Sequence, residues 1–346
     1  MDKDGRNYGL TPIETSDEPP LPREKRLMKN AASILLLVLC LASPAFAQNA
    51  ATPAPANEEQ LAATLRDTRA RAERGEADAQ FKLGVAYEKG QGVAKDDTQA
   101  VAWFRKAAEQ GNTYAQTNLS FMYKHGRGGA QAVAWYRKAA EQGSADAQAY
   151  LGWMYQNGRG VAKDDVQAVA WYREAAEQGN ASAQINFGFM YATGRGVAKD
   201  DAQAIAWYRK AADQGLANAQ HNLGFMYAHG RGVMQDDVQA VAWFRKAADQ
   251  GLANAQNGLG IMLAEGRGVA RNDAQAVMWF RKAADQGNAS AQNNLGEMYR
   301  DGRGVAQDDA QAVAWYRKAA DQGIVDAKDA LRRMHEQGRD AAKQPQ

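Results

Sequence analysis

The side chains able to do chemistry recur at matching places in a repeated sequence. That placement argues for recognition over catalysis. The chain has four histidines, His125, His221, His229 and His335. His125 and His229 stand at equivalent points of separate repeats, too far apart to share a metal. His221 and His229 are eight residues apart on one predicted helix, not the four of a helical metal pair. Paired aspartates such as Asp200-Asp201 recur where helices begin, and capping and the helix dipole account for them there. The G-x-G runs follow no strand signal, so they read as helix stops and not as phosphate loops. No Ser, Cys, His or Glu cluster breaks the repeat. We therefore expect no catalytic residue, no metal site, no cofactor and no enzymatic activity.

A different pattern suits binding. Asn118, Asn186, Asn222 and Asn294 fall at one repeated position. Phe121, Trp153, Phe189 and Phe225 fall at another, continued by Val85 and Ile261 and broken by Glu297. Asn186 and Phe189 are three apart, on the side of their helix away from Phe187 and Tyr191. Amides could pair with the backbone of an extended peptide, since each offers a donor and an acceptor. Aromatic rings could take its side chains. The same residues could also pack between adjacent helices, and both readings stay open at this point.

The elements that must position these rows follow from a metre in tryptophan. Trp103, Trp135, Trp171, Trp207, Trp243, Trp279 and Trp315 are spaced by 36 residues, except the first gap of 32. Self-similarity at such a period means stacked units, not one closed core. Seven units run at 77–112, 113–144, 145–180, 181–216, 217–252, 253–288 and 289–324, with part of an eighth at 325–338. In the fourth, Asn180 caps a helix over about 181–192, and Gly194-Arg195-Gly196 stops it. Asp200, with Gln203 three residues on, caps a second helix over about 201–214, ended by Gly215. Ala183, Phe187, Met190 and Tyr191 share a face of the first helix. Ala204, Trp207, Tyr208 and Ala211 share one of the second. The R-K and K-A-A stretches read as its solvated side. The second repeat lacks four residues between its helices, and with them the Asp cap.

The remaining segments are organised around this array. Met28-Lys29-Asn30, the apolar run Ala31 to Ala42, and Ala45-Phe46-Ala47 make a secretory signal peptide at 28–47, cleaved after Ala47. This predicts a periplasmic or secreted protein with no membrane span after cleavage. Residues 1–27 read as an untranslated or disordered extension, with Met28 as the true start. The single cysteine, Cys40, lies in the apolar run, so the mature chain can form no disulfide. A flexible leader occupies 48–56. A capping helix with an Asn57-to-Gln60 capping box covers 57–76. A C-terminal capping helix at 325–338 precedes a disordered tail at 339–346. Arg332 and Arg333 replace a glycine and an apolar residue there, which keeps the end wet. The 346 residues carry a net charge of +2 without a basic stripe, which argues against nucleic acid as a partner.

Ala217 to Leu252 displays the repeated residues in full: Ala217, Ala219, Leu223, Gly224, Tyr227, Gly230, Gly232, Asp236, Ala240, Trp243, Lys246, Ala247, Ala248 and Gly251. This pattern resembles the Sel1-like repeat, a relative of the tetratricopeptide repeat. The resemblance implies an all-α fold, a right-handed α-α solenoid or superhelix of helix hairpins. It implies a non-catalytic adaptor or scaffold, a monomer that binds a protein or peptide on the concave face. In tetratricopeptide-like solenoids the rows above line that face. The alternative reading is an envelope-directed hydrolase, or a protein that binds β-lactams or peptidoglycan. The cysteine-rich Helicobacter members carry a disulfide in each repeat, which this chain does not.

Overall fold

The computed structural model describes residues 55–124 and 129–339. The expected signal peptide and its cleavage site, the 1–27 extension, His125 and the tail from 340 lie outside the described residues. Among the described residues there are sixteen α-helices. They are α1 Pro55–Glu73, α2 Ala77–Lys89, α3 Asp97–Glu109, α4 Thr113–Lys124, α5 Gly129–Glu141, α6 Ala145–Asn157, α7 Asp165–Glu177 and α8 Ala181–Thr193. They continue with α9 Asp201–Asp213, α10 Ala217–Ala228, α11 Asp237–Asp249, α12 Ala253–Glu265, α13 Asp273–Asp285, α14 Ala289–Asp301, α15 Asp309–Asp321 and α16 Val325–Glu336. The chain is an all-α solenoid. Helix α1 begins at Pro55, ahead of the expected start at Asn57, since proline is favoured in the first helical turn.

Contacts divide the described chain into two compact units, one of residues 55–143 with 153–164 and one of 144–152 with 165–339. In the first unit α1 packs on α2, α2 on α3 and α3 on α4. In the second, each helix from α7 to α16 packs on the next.

Local signals place the helix ends of the fourth repeat. The Asn180 side chain accepts from the Ala183 N–H, opening α8. Gly194, at φ 70°, closes it and donates its N–H to the Met190 carbonyl. Asp200 accepts from the N–H groups of Ala202 and Gln203 and opens α9. These side chains satisfy amides that the first turn of a helix leaves unpaired.

Hairpins close on an aromatic ring set against a glycine. A methyl group added to Gly224 of α10 would stand 2.9 Å from the Phe244 ring of α11. Only a bare Cα lets the two helices approach so closely. Phe104, Tyr172, Tyr208, Phe280 and Tyr316 occupy the same position and are buried. This qualifies the expectation drawn from the tryptophan metre. Trp207 is buried, at 9% exposure, and packs on Phe187 with ring centroids 5.2 Å apart. Trp243, Trp279 and Trp315 are only half-buried, and the deep aromatic is the residue after each tryptophan. Tyr208 and Tyr316 bury hydroxyls with no hydrogen-bond partner, and burial pushes the Tyr208 hydroxyl well above its ordinary value. Phenylalanine serves at the equivalent positions. Tyr208→Phe is therefore expected to leave thermal stability unchanged or raised, because an unserved buried hydroxyl carries a desolvation cost. A clear fall in melting temperature would show that the hydroxyl has a partner.

Contacts thirty residues apart join one repeat to the next. Asp201, the second of its pair, accepts from Arg231 of the following repeat, and the Arg231 Nη2 also donates to the Ala192 carbonyl at 2.9 Å. Asp237 holds Arg267 the same way at 2.8 Å, and Asp309 holds Arg339 at 2.6 Å. In Asp200-Asp201 and Asp236-Asp237 the first aspartate caps, while the second binds across the repeat boundary. Gln220 adds a second tie: its Nε2 donates to Ala212 of α9, and its Oε1 accepts from Gln250 at 2.8 Å. The R-K pair is exposed as expected but not idle. Arg209 and Arg281 donate to the hydroxyls of Tyr227 and Tyr299 in the next repeat, and Lys210 lies 3.8 Å over the Trp207 ring.

These ties carry a pH dependence. Hydrogen bonds from Arg271, opposed by burial and reinforced by Arg303, hold the Asp273 carboxyl below the usual carboxylate range. A carboxyl lowered on folding contributes stability that is complete above its unfolded value, near pH 4. That contribution is lost as pH falls through the folded value. Asp273→Asn should therefore lower stability at neutral pH and flatten its decline below about pH 4. Parallel acid-unfolding curves for the two chains would sink this assignment.

Candidate protein-interaction surface

The first helix of each repeat carries both rows, and the helix period sets them apart from the face that meets the second helix. In the first unit, Asn118 is half-buried, Phe121 is 50% exposed and Trp153 is half-buried. In the second unit, Phe189 and Phe225 are half-buried, whereas Ile261 is almost fully covered. Each half-buried ring is followed by a methionine of the core, Met190 after Phe189 and Met226 after Phe225, both at zero exposure. Adjacent helix positions differ by about 100°, so one faces inward and the other outward.

The amide row is uneven. Asn186 and Asn222 are buried, at 5% and 0% exposure, while Asn294 is half-buried. Asn294 donates from Nδ2 to Asn257 Oδ1 at 2.9 Å. Neighbouring first helices thus carry polar groups beneath the row, and Asn257 and Asn293 were not singled out in sequence. Their shared position, held by Ile185 and His221 in earlier repeats, varies too much to draw notice.

The histidines stand apart from one another in kind. His221 is buried with its ring 5.5 Å from that of Phe244. His229 follows α10, stacks on Phe225 at 4.2 Å between centroids, and approaches the Phe225 carbonyl through Nδ1 at 2.9 Å. His335 is exposed on α16. Among the described residues no group of three or more His, Cys, Asp or Glu side chains could hold a metal ion. No described helix is long and apolar enough to cross a membrane.

The hairpins repeat in register with a family pattern. The Sel1 repeat model matches residues 77–112, 113–144, 145–180, 181–216, 217–252, 253–288 and 289–324. The chain belongs to the Sel1 repeat family. Sel1 repeat proteins are generally protein-interaction scaffolds. A Sel1 repeat protein from Oxalobacter formigenes is 32% identical, with a TM-score of 0.71 over 93% of this chain and 95% of its own. A protective antigen of uropathogenic Escherichia coli strains, described as displaying an SLR fold, is 42% identical with a TM-score of 0.65. That match covers 79% of this chain, which spans 60% of the Escherichia coli protein. No curated protein matches the chain significantly.

Proposed function

We propose that this Sel1 repeat protein is a non-catalytic scaffold of the bacterial periplasm, or secreted beyond it, that binds an extended polypeptide along the first-helix face. The observation that carries this reading is the incomplete burial of the aromatic row. Phe189 and Phe225 keep exposed surface although the residue after each is fully buried. Large aromatic side chains at such positions supply binding area at low entropic cost and are typical interface anchors. Phe121 and Trp153 offer the same surface in the first unit. Asn118 and the Oδ1 of Asn294 are offered to a partner's backbone, while Asn186 and Asn222 support the row from beneath. The apolar run and A-F-A site ahead of residue 48 support export.

The test is a crosslinking pulldown from the native periplasm with the mature protein, followed by measured affinity for the partner identified. Phe189→Ala with Phe225→Ala should weaken that affinity more than about tenfold, since anchor truncations typically cost about 2 kcal/mol. Circular dichroism must show the variant folded. Undiminished binding by a folded variant would count against the face. Recovery of the native protein in the cytoplasm with residues 28–47 attached would count against the location.

A further inference from the structure

The apolar row of the second unit ends in a charge. Phe189 and Phe225 are followed at the equivalent positions by Ile261 and then by Glu297. Ile261 is 3% exposed, but Glu297 is half-buried with a face to solvent. Its carboxylate makes no ion pair among the described residues; its one hydrogen bond is accepted by Oε1 from Asn293 Nδ2 at 3.2 Å. Asn293 is itself 7% exposed, and its Oδ1 has no hydrogen-bond partner. An acceptor left unserved in the interior carries a desolvation cost. Glu297 Oε2 and the buried Asn293 Oδ1 are thus two acceptors on α14 that no described donor serves.

Further carboxylates stand one turn along. One turn on in the first helix, Thr193 and His229 give way to Glu265 and Asp301 in the later repeats. Arg267 approaches Glu265 at 3.7 Å. Arg300, three residues beyond Glu297, is held by Asp301 through two bonds of 2.7 and 2.8 Å. Both arginines are engaged by other carboxylates, and Arg300 acts on Glu297 only through space, without an ion pair.

We infer that Glu297, with Asn293, forms a subsite for the ammonium or guanidinium of a lysine or arginine in an extended polypeptide partner. The inference rests on the groove reading above and adds to it a specificity for charge. Charge-assisted hydrogen bonds to a partly desolvated carboxylate are the strong kind, and they also exclude partners that bring an acidic group. Packed helices lie roughly 8–10 Å apart, and an extended chain advances about 3.3 Å per residue. The basic side chain should then stand roughly six residues from the apolar residue seated over Phe225, two repeats away.

The test is selection of a random-peptide display library on the immobilised full chain. Enriched peptides are expected to combine an apolar residue with Lys or Arg at about that spacing. A synthetic enriched peptide and its Arg→Gln or Lys→Gln version are then titrated against the parent chain and Glu297→Gln, which keeps an acceptor for Asn293. Each single change should weaken binding about tenfold, and the combination should weaken it little further. Glu297→Phe, which extends the aromatic row, should bind the neutral peptide better than the basic one. Peptides enriched without a basic preference, or a basic preference that survives Glu297→Gln, would overturn this inference and leave the groove reading standing. No enrichment at all would overturn both.

Discussion

Gly232→Ala is expected to destabilise the central repeats far more than Gly215→Ala. Both glycines have positive φ, 68° at Gly232 and 91° at Gly215, so alanine is strained at either site by about 1–2 kcal/mol. Their surroundings differ. At Gly215 an added methyl group meets nothing within 4 Å. At Gly232 it would lie 2.1 Å from the Asp201 carbonyl oxygen, 2.4 Å from the carbonyl carbon and 2.8 Å from the Ala202 nitrogen. These are backbone atoms of the preceding repeat and cannot rotate aside. Relief requires the two repeats to separate, which would also pull Arg231 from Asp201 and from the Ala192 carbonyl. We expect a total loss on the order of 3 kcal/mol or more at Gly232. Because each repeat contacts its neighbours, the loss should concentrate locally. Hydrogen exchange across residues 197–240 would read it directly. Equal protection in the two variants would show that this boundary is looser than the contact implies.

Phe244→Ala should cost about 3–5 kcal/mol, the usual loss for a buried aromatic cut to alanine. Phe244 has no exposed surface. Its ring lies against Gly224 of its own hairpin and Gly258 of the next repeat, where an added methyl would stand 3.2 Å away. Removing the ring thus opens a cavity between three helices. Trp243→Ala should cost less, although the tryptophan is larger. Its ring is half-buried and lies under the Lys246 ammonium, 3.9 Å from the centroid. Denaturant unfolding of both variants decides the order. A greater loss at Trp243 would make the tryptophan metre a mark of the core and displace Phe244 from that role.

The amino-acid sequence by itself determined the period, the helix hairpins, the family and the caps. These depend on neighbours a few residues away. Asn180 and Asp200 reach amides in their own first turns, and Gly194 closes a helix through its own φ. A regular period repeats such local signals until chance is excluded. The two candidate rows were legible for the same reason, since helical spacing puts Asn186 and Phe189 on a common side.

Depth was decided only by the tertiary structure. Adjacent positions on a helix point about 100° apart, so either residue of Trp243-Phe244 could have faced the glycine of the preceding helix. The placement of that helix chose Phe244. Asp165 and Asp201, second in their pairs, resembled parts of caps until the arginine thirty residues later was found against each. The same limit applies to the candidate site. Asn186 and Asn222 are covered while Asn294 is not, because burial depends on the helices beside them. Glu297 was visible in sequence as a break in the row. That it lacks an ion pair, and sits beside a buried amide oxygen without a donor, emerged only when α14 was placed against its neighbours. Packing alone decides which charges meet a partner within the chain and which are left for another molecule.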